Sequence, residues 1–503
     1  MQRSQRQQAG QKRWTDGLAP MRRPGAVAPG NVARSAVKHG SHPMADSYEN
    51  TRLYDYEFSV KQTFDNIVPV LKQVSALQHE VDFESRAQSL AKQQLGFELP
   101  ASLLADAWVE QLDMRRLFAW CVFATYEKFC EQYYLTNPLT VDRDEDFQAF
   151  LQECGFHTLD ISPCADGRLA HVIRYVLRLP QQVVRRKSFA GAMFDIDDNI
   201  QKWVETEMLR FREGKPNLAD EPTRYLKVVA YHFSSVDPDH EGCAAHGSDT
   251  DKAAAAGLRQ LESFKQAIEN SFCCGASIDL LLIGIDTDTD SMRVHVPDAE
   301  GKINLDRYVD TLDVYKVTQF GTVQESREFI ANQVRSCSPE VMDGVLKLTA
   351  RLIENNLSQI DYVRRHFGDA YPDTGHAERF IGAGVGFEEI QLRNLMYFAY
   401  LDTVEEASQD LDVGIKIFTG LNVSHGLPVP VIVRFDYHGH VPGAKDRAIA
   451  HCQRVAAAMQ QRYGNLVEQG LLHILQVTRD CQSNDAIEVL SCSVNAESSL
   501  EVH

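Results

Sequence analysis

Residues 161–168 read ISPCADGR, so Cys164, Asp166 and Arg168 alternate with small residues just after an apolar stretch. A thiol, a carboxylate and a guanidinium delivered at a strand's C-terminal end lie where open α/β sheets bind their ligands. A second apolar stretch, KVVAYHF, ends in His232 and Phe233, and a turn-like GCAAHG with Cys243 and His246 follows. Two thiolates and one imidazole from neighbouring strand ends suffice for a Cys2His zinc site with three protein ligands and water at the fourth tetrahedral position. An open position means catalysis rather than structural support alone.

The elements that must position these groups are short apolar strands alternating with helices, the pattern of a largely parallel sheet. Strands are expected over 157–161, 225–231, 278–285 and 292–296, and helices over 188–213 and 251–269. Before them, from residue 46 to about 140, the period is helical: Val60, Phe64, Ile67, Val68, Leu71 and Val74 share one face. Leu117, Trp120, Cys121, Phe123, Tyr126 and Phe129 form a thicker buried stripe. After residue 376 a second α/β unit is expected, with helices over 388–406 and 447–463 and strands over 412–418, 429–435, 472–478 and 487–492. The fold class is therefore multidomain, mixing α+β and α/β: a basic tail (1–45), a helical domain (46–140), an α/β zinc domain (141–376) and a C-terminal α/β domain (377–503).

The blocks CGFHTLDISPCADGRL, AGAMFDIDD, PTRYLKVVAYHFSSVDP, GCAAHGS, CCGASIDLLLIGIDTDTD, NNLSQIDYV and GHAERF, between residues 154 and 380, resemble the carboxysome shell carbonic anhydrases, the epsilon class, divergent relatives of the beta-class enzymes. The resemblance implies a beta-class-like catalytic domain with zinc held by Cys164, His232 and Cys243. It also implies that Arg168 holds Asp166 off the metal, leaving the fourth position to the water that attacks CO2. Ordinary beta-class enzymes space their His and Cys ligands three apart, and His240 offers that spacing to Cys243. His232 is preferred because it closes a strand that can fix the ring, whereas His240 lies in a polar loop. In the resembling family the C-terminal domain is a degenerate second copy of the catalytic unit, although no repeat is legible here.

The resemblance further implies reversible CO2 hydration, with bicarbonate returned as CO2 to Rubisco, inside the carboxysome lumen or at the inner shell face. A homodimer or an assembly of dimers is expected. A lumenal partner suits the charge distribution: residues 1–45 hold eight basic side chains and Asp16 as their one acid, a local +7 in a chain of net charge -19. Such a tail, poor in large apolar side chains, is expected to be disordered and to dock on an acidic surface of Rubisco or of shell proteins. The remaining body, near -26, is a poor nucleic-acid binder.

Other chemistry is less well supported. Eleven cysteines without framework spacing point to a reducing compartment. The longest aliphatic run, 280–285, is far short of the roughly 20 residues of a membrane span. A zinc deaminase would need H-x-E with P-C-x-x-C, which is absent, while another Cys2His zinc hydrolase or a structural zinc scaffold stays open. Cys273 and Cys274 read as buried small hydrophobes, and Asp286, Asp288 and Asp290 as a solvated turn, because Ser291 and Pro297 stand where a calcium loop needs Gly and Glu. Gly382, Gly384 and Gly386 read as a flexible connection. His376 is a candidate proton relay, although a structural hydrogen-bonding role is the commoner one for such a residue; His246 reads as structural.

Overall fold

The computed structural model describes residues 41–105, 107, 111–136, 144–180, 184–186, 188–215, 217–218, 222–271, 277–399, 408–483 and 485–494. The charged tail up to residue 40 and the Cys273 and Cys274 pair lie outside the described residues. The described residues form two compact units, one from 41–52 with those between 144 and 375 and the other from those between 53 and 136 with those from 376 to 494.

The first unit is built on a sheet of order β2-β1-β3-β4-β5-β6, with β1 (Thr158–Pro163), β2 (Val184–Arg186), β3 (Arg224–Phe233), β4 (Ser277–Asp286), β5 (Met292–His295) and β6 (Val309–Asp310). β1 to β4 pair in parallel, and β5 and β6 are antiparallel additions. The central strands are buried along almost their whole length, as expected of a sheet covered on both faces. Helix Thr250–Ser271 buries Ala253, Ala254, Gly257, Leu261, Phe264 and Ile268 on one stripe. At Gly257 a Cβ would stand 3.0 Å from Val229 and 3.1 Å from Leu282, so the glycine lets this helix lie close on β3 and β4.

Inside the sheet, Lys227 is fully buried yet satisfied: its ammonium donates to Asp160, to Ser162 at 2.8 Å and to Asn199 at 2.7 Å, and sits over the Phe194 ring. At the other end of the described chain, His42 is buried against Asp361 and Thr318.

The second unit combines helices such as Phe83–Gln94 and Met114–Thr136 with a sheet of order β11-β10-β9-β7-β8. Its strands are β7 (Phe380–Gly384), β8 (Met396–Ala399), β9 (Val429–Arg434), β10 (Leu472–Thr478) and β11 (Glu488–Cys492). Three sequence expectations are corrected here. The Gly382 and Gly384 segment is strand β7, in the sheet between β8 and β9. Residues 396–399, expected as helix, form β8, because parallel pairing with β7 overrides local helical preference. Residues 412–418, expected as a strand, belong to helix Ser408–Leu421, whose buried Leu411, Gly414 and Phe418 follow helical spacing. Gly414 permits a close approach, since a Cβ there would come within 2.7 Å of the Tyr397 ring.

The two sheets share a topology that the sequence did not reveal. Reading β8-β7-β9-β10-β11 against β2-β1-β3-β4-β5, chain order and strand direction agree at every step. Register agrees too: Pro163 faces Ala230 and Cys164 donates its N–H to the Ala230 carbonyl, as Gly384 faces Arg434 and Val385 donates to the Arg434 carbonyl.

Candidate metal centre

Cys164 is the first residue beyond β1, at the point where the chain leaves the sheet and bridges to Phe189. Its sulfur accepts the N–H of Gly191 at 3.2 Å. Gly191 has a φ of +74°, and a Cβ there would meet His246 at 3.0 Å and Ala245 at 3.2 Å, so only glycine fits both the backbone and the space. Sequence reasoning missed this residue. Its signal was a glycine inside a segment assigned to a helix, whereas the helix begins only at Ile196.

His232 is the penultimate residue of β3, buried, with neither ring nitrogen making a hydrogen bond. Cys243 is buried at the head of a tight turn whose N–H groups from His246 and Ser248 return to its carbonyl at 3.0 Å. Gly242 admits that turn, because a Cβ there would lie 2.7 Å from the Ser248 carbonyl oxygen. One ligand atom from each of Cys164, His232 and Cys243 lies within 4.8 Å of the others. Two donors about 2.3 Å from a tetrahedral ion stand about 3.8 Å apart, so a small inward shift closes the set on zinc.

Electrostatics favour a cation at this point. The Cys243 thiol lies below its usual range, first through a hydrogen bond from Cys164, against the effect of burial and with help from the Ala245 and His246 N–H groups. Burial opposes charge on His232, but the neighbouring Cys164 and Asp166 outweigh it and push the ring up to about 9, while the hydrogen bond to Cys243 and burial hold the Cys164 thiol well above its usual range. Two ring nitrogens without a hydrogen bond in a thiol-lined pocket are the surroundings a divalent ion with nitrogen and sulfur preference would satisfy.

Asp166 caps the short turn Gly167–Leu169, and its Oδ1 accepts the Arg168 N–H at 2.9 Å. The Arg168 guanidinium returns to both oxygens, Nε to Oδ1 at 3.0 Å and Nη2 to Oδ2 at 2.8 Å. Its third nitrogen, Nη1, donates to the Glu241 carbonyl at 2.7 Å and the Thr374 carbonyl at 2.9 Å. Asp166 Oδ2 lies 3.3 Å from His232 Nε2, beside the candidate ligands but held by arginine.

The structure thus gathers Cys164, Asp166, Arg168, His232 and Cys243. It does not bring His240, whose side chain is 79% exposed and paired with Asp237 at 2.8 Å. His246 contacts the Gly191 carbonyl at 3.4 Å, a structural role. His376 belongs to the second unit, where its Nδ1 pairs with Glu378 at 2.8 Å.

At the equivalent register of the second sheet, Val385 stands at the Cys164 position and Asp436 at the His232 position. There Arg434 occupies the centre: it pairs with Glu389, holds Asp436 through Nε at 2.8 Å and Nη2 at 2.9 Å, and donates to Tyr126 at 2.9 Å. A side-chain cation thus pairs with the carboxylates at this register, where the first sheet gathers thiols and an imidazole.

Comparison with known proteins accounts for nearly the whole described chain. Family models for the carboxysome shell carbonic anhydrase match its N-terminal part over residues 42–134, its catalytic domain over 146–376 and its C-terminal part over 377–494. The chain belongs to the carboxysome shell carbonic anhydrase family. A carboxysome shell carbonic anhydrase of Prochlorococcus marinus (strain MIT 9313) is 54% identical over 95% of this chain and 95% of its own length. That of Parasynechococcus marenigrum (strain WH8102) is 53% identical over 93% of this chain and 82% of its own length. That of Halothiobacillus neapolitanus (strain ATCC 23641 / c2) is 44% identical over 86% of both. Membership bears out the resemblance read from the sequence, the enzyme class and the carboxysome as its place. Among the described residues no helix is long and apolar enough to cross a membrane.

Proposed function

We propose that this carbonic anhydrase uses zinc held by Cys164, His232 and Cys243 to interconvert CO2 and bicarbonate, and that it supplies CO2 to Rubisco within the carboxysome. The convergence of these three donors, with neither His232 nitrogen making a hydrogen bond, carries the reading. Zinc bound there supplies the charge that lowers the pKa of water from 15.7 toward neutrality, less far with two thiolate donors than the value of about 7 reached with three imidazoles.

The chain's own residues do the rest. Asp166, beside His232, accepts a hydrogen bond from the attacking water and so directs its lone pair at CO2. Arg168 holds the carboxylate and stops it from turning into the ligand set, because both oxygens are already engaged. Gly191 aims an N–H at Cys164 and steadies the sulfur as a ligand. His376, oriented by Glu378, is the proposed relay for the released proton. In this reading residues 141–376 are the catalytic part, with 46–140 and 377–503 as support. The chain works as a dimer or an assembly of dimers, and the basic residues of 1–45 attach it to Rubisco or the shell.

The decisive measurement is stopped-flow CO2 hydration together with zinc content on the purified full chain. Activity should vanish on chelation and return with zinc, and Cys164→Ser should lose both metal and turnover. Full activity in the metal-free protein would refute the proposal.

A further inference from the structure

The sequence suggested that Asp286, Asp288 and Asp290 form a solvated turn, but all three are buried, at 2%, 0% and 0% exposure. Three carboxylates withdrawn from water within five residues are costly unless each has donors. Donors reach them from three separate segments of the first unit that each lead to the metal centre, and from Gln359 on a fourth.

The first is the chain just beyond His232. Asp286 accepts the Ser235 N–H at 3.1 Å and its hydroxyl at 2.7 Å, while Asp288 Oδ2 accepts the Ser234 hydroxyl at 2.6 Å and the Val236 N–H at 2.9 Å. The second is the turn after Arg168: His171 Nε2 lies 2.8 Å from Asp290 Oδ2. A carboxylate only accepts, so the ring proton sits on Nε2. The third leads to Thr374, where Tyr371 donates its hydroxyl to Asp290 Oδ2 at 2.8 Å and its N–H to the Asp288 carbonyl at 2.8 Å. Gln359 adds a further donor to Asp290 Oδ2 at 2.9 Å.

The convergence on Asp290 brackets Arg168 from both sides. His171 lies three residues after Arg168, and Tyr371 three residues before Thr374, whose carbonyl receives Arg168 Nη1. Asp290 itself has little freedom: its φ is +55°, its N–H donates to the Asp286 carbonyl at 2.9 Å and its carbonyl accepts Asn356 Nδ2 at 2.7 Å.

We propose that Asp290 is a positioning residue for the reaction, fixing through His171 and Tyr371 the two supports that let Arg168 hold Asp166 away from the metal. The inference rests on the zinc reading above. Loosening either support lets the Asp166 carboxylate turn toward the ligand set and compete with water.

The test uses the full chain loaded with zinc for kinetics and with cobalt(II) for absorption spectra, in the parent, Asp290→Asn, Tyr371→Phe and, as reference for a released carboxylate, Arg168→Ala. Asp290→Asn and Tyr371→Phe should keep the parent's metal content, lose about tenfold or more in kcat with KM within about twofold, and shift their cobalt spectra toward that of Arg168→Ala. Should Asp290→Asn fail to fold, Tyr371→Phe, which removes a single hydroxyl, decides alone. A folded, metal-loaded Tyr371→Phe protein with the parent's kcat and spectrum overturns the positioning role. A parent cobalt protein without a thiolate-to-metal charge-transfer band overturns the zinc reading and this inference with it, so the two failures are told apart.

Discussion

Arg168 grips both carboxylate oxygens of Asp166 from two residues away, Nε to Oδ1 at 3.0 Å and Nη2 to Oδ2 at 2.8 Å, with both side chains buried. Removing the guanidinium leaves a buried charge beside the proposed metal. Arg168→Ala is expected to destabilise the protein by about 3–5 kcal/mol and to lower kcat by about a hundredfold or more, equivalent to about 2.7 kcal/mol of transition-state stabilisation. Thermal melts and stopped-flow rates on the same preparation check both.

Metal stoichiometry discriminates between the two sheets. One zinc per chain is expected by elemental analysis, because Arg434 already neutralises Glu389 and Asp436 at the second register. Cys243→Ser should bring the content close to zero; a chain that retains one equivalent would place the metal elsewhere.

Two thiolates among the ligands leave the metal less able to acidify water than three imidazoles do. CO2 hydration should therefore climb steadily from neutral pH to pH 9. A flat profile over that interval in a non-inhibitory buffer would contradict the ligand set.

Stability should fall on mild acidification. His42 accepts the Met44 N–H at Nδ1, while its Nε2 faces Thr318 Oγ1, whose proton goes to the Val314 carbonyl, so the ring is held neutral. Burial, only partly offset by Asp361, lowers its pKa from 6.5 to about 4, and burial does the same to His295. The unfolded chain binds these protons more readily, so stability is complete above pH 6.5 and declines as pH falls toward 4. Denaturant midpoints at pH 7 and pH 5 should differ, and His42→Gln should narrow the difference.

Lys227 is the counter-charge for Asp160 inside the first sheet. Lys227→Met strands that carboxylate and is expected to cost about 3–5 kcal/mol, whereas the Lys227→Met, Asp160→Asn pair should recover much of the loss. A double-mutant cycle on urea midpoints measures the coupling.

The grouping of Cys164, His232 and Cys243 was legible because cysteine, histidine and a Cys-x-Asp-x-Arg run are uncommon at apolar strand ends. His232 could be preferred to His240 on that ground alone. What stayed hidden depends on satisfaction in three dimensions. The acidity of 286–290 looks solvated until Ser234, Ser235, Val236, His171 and Tyr371 arrive from distant positions. Gly191 announces itself only through a positive φ and a crowded neighbour. Residues 412–418 alternate apolar and polar along the chain, yet the buried positions of the helix are Leu411, Gly414 and Phe418. The duplication left no sequence trace because pairing order and register survive the replacement of the side chains at the rim.

Arg434 is part of the polypeptide, so the positive charge that Glu389 and Asp436 require is present from the moment of synthesis. On the zinc reading proposed above, the C-terminal copy would mature in a cell starved of trace elements, while the thiol pocket of its sibling would wait for an ion to be delivered. On that reading one gene product carries two editions of the same architecture, one self-sufficient and the other tied to metal homeostasis.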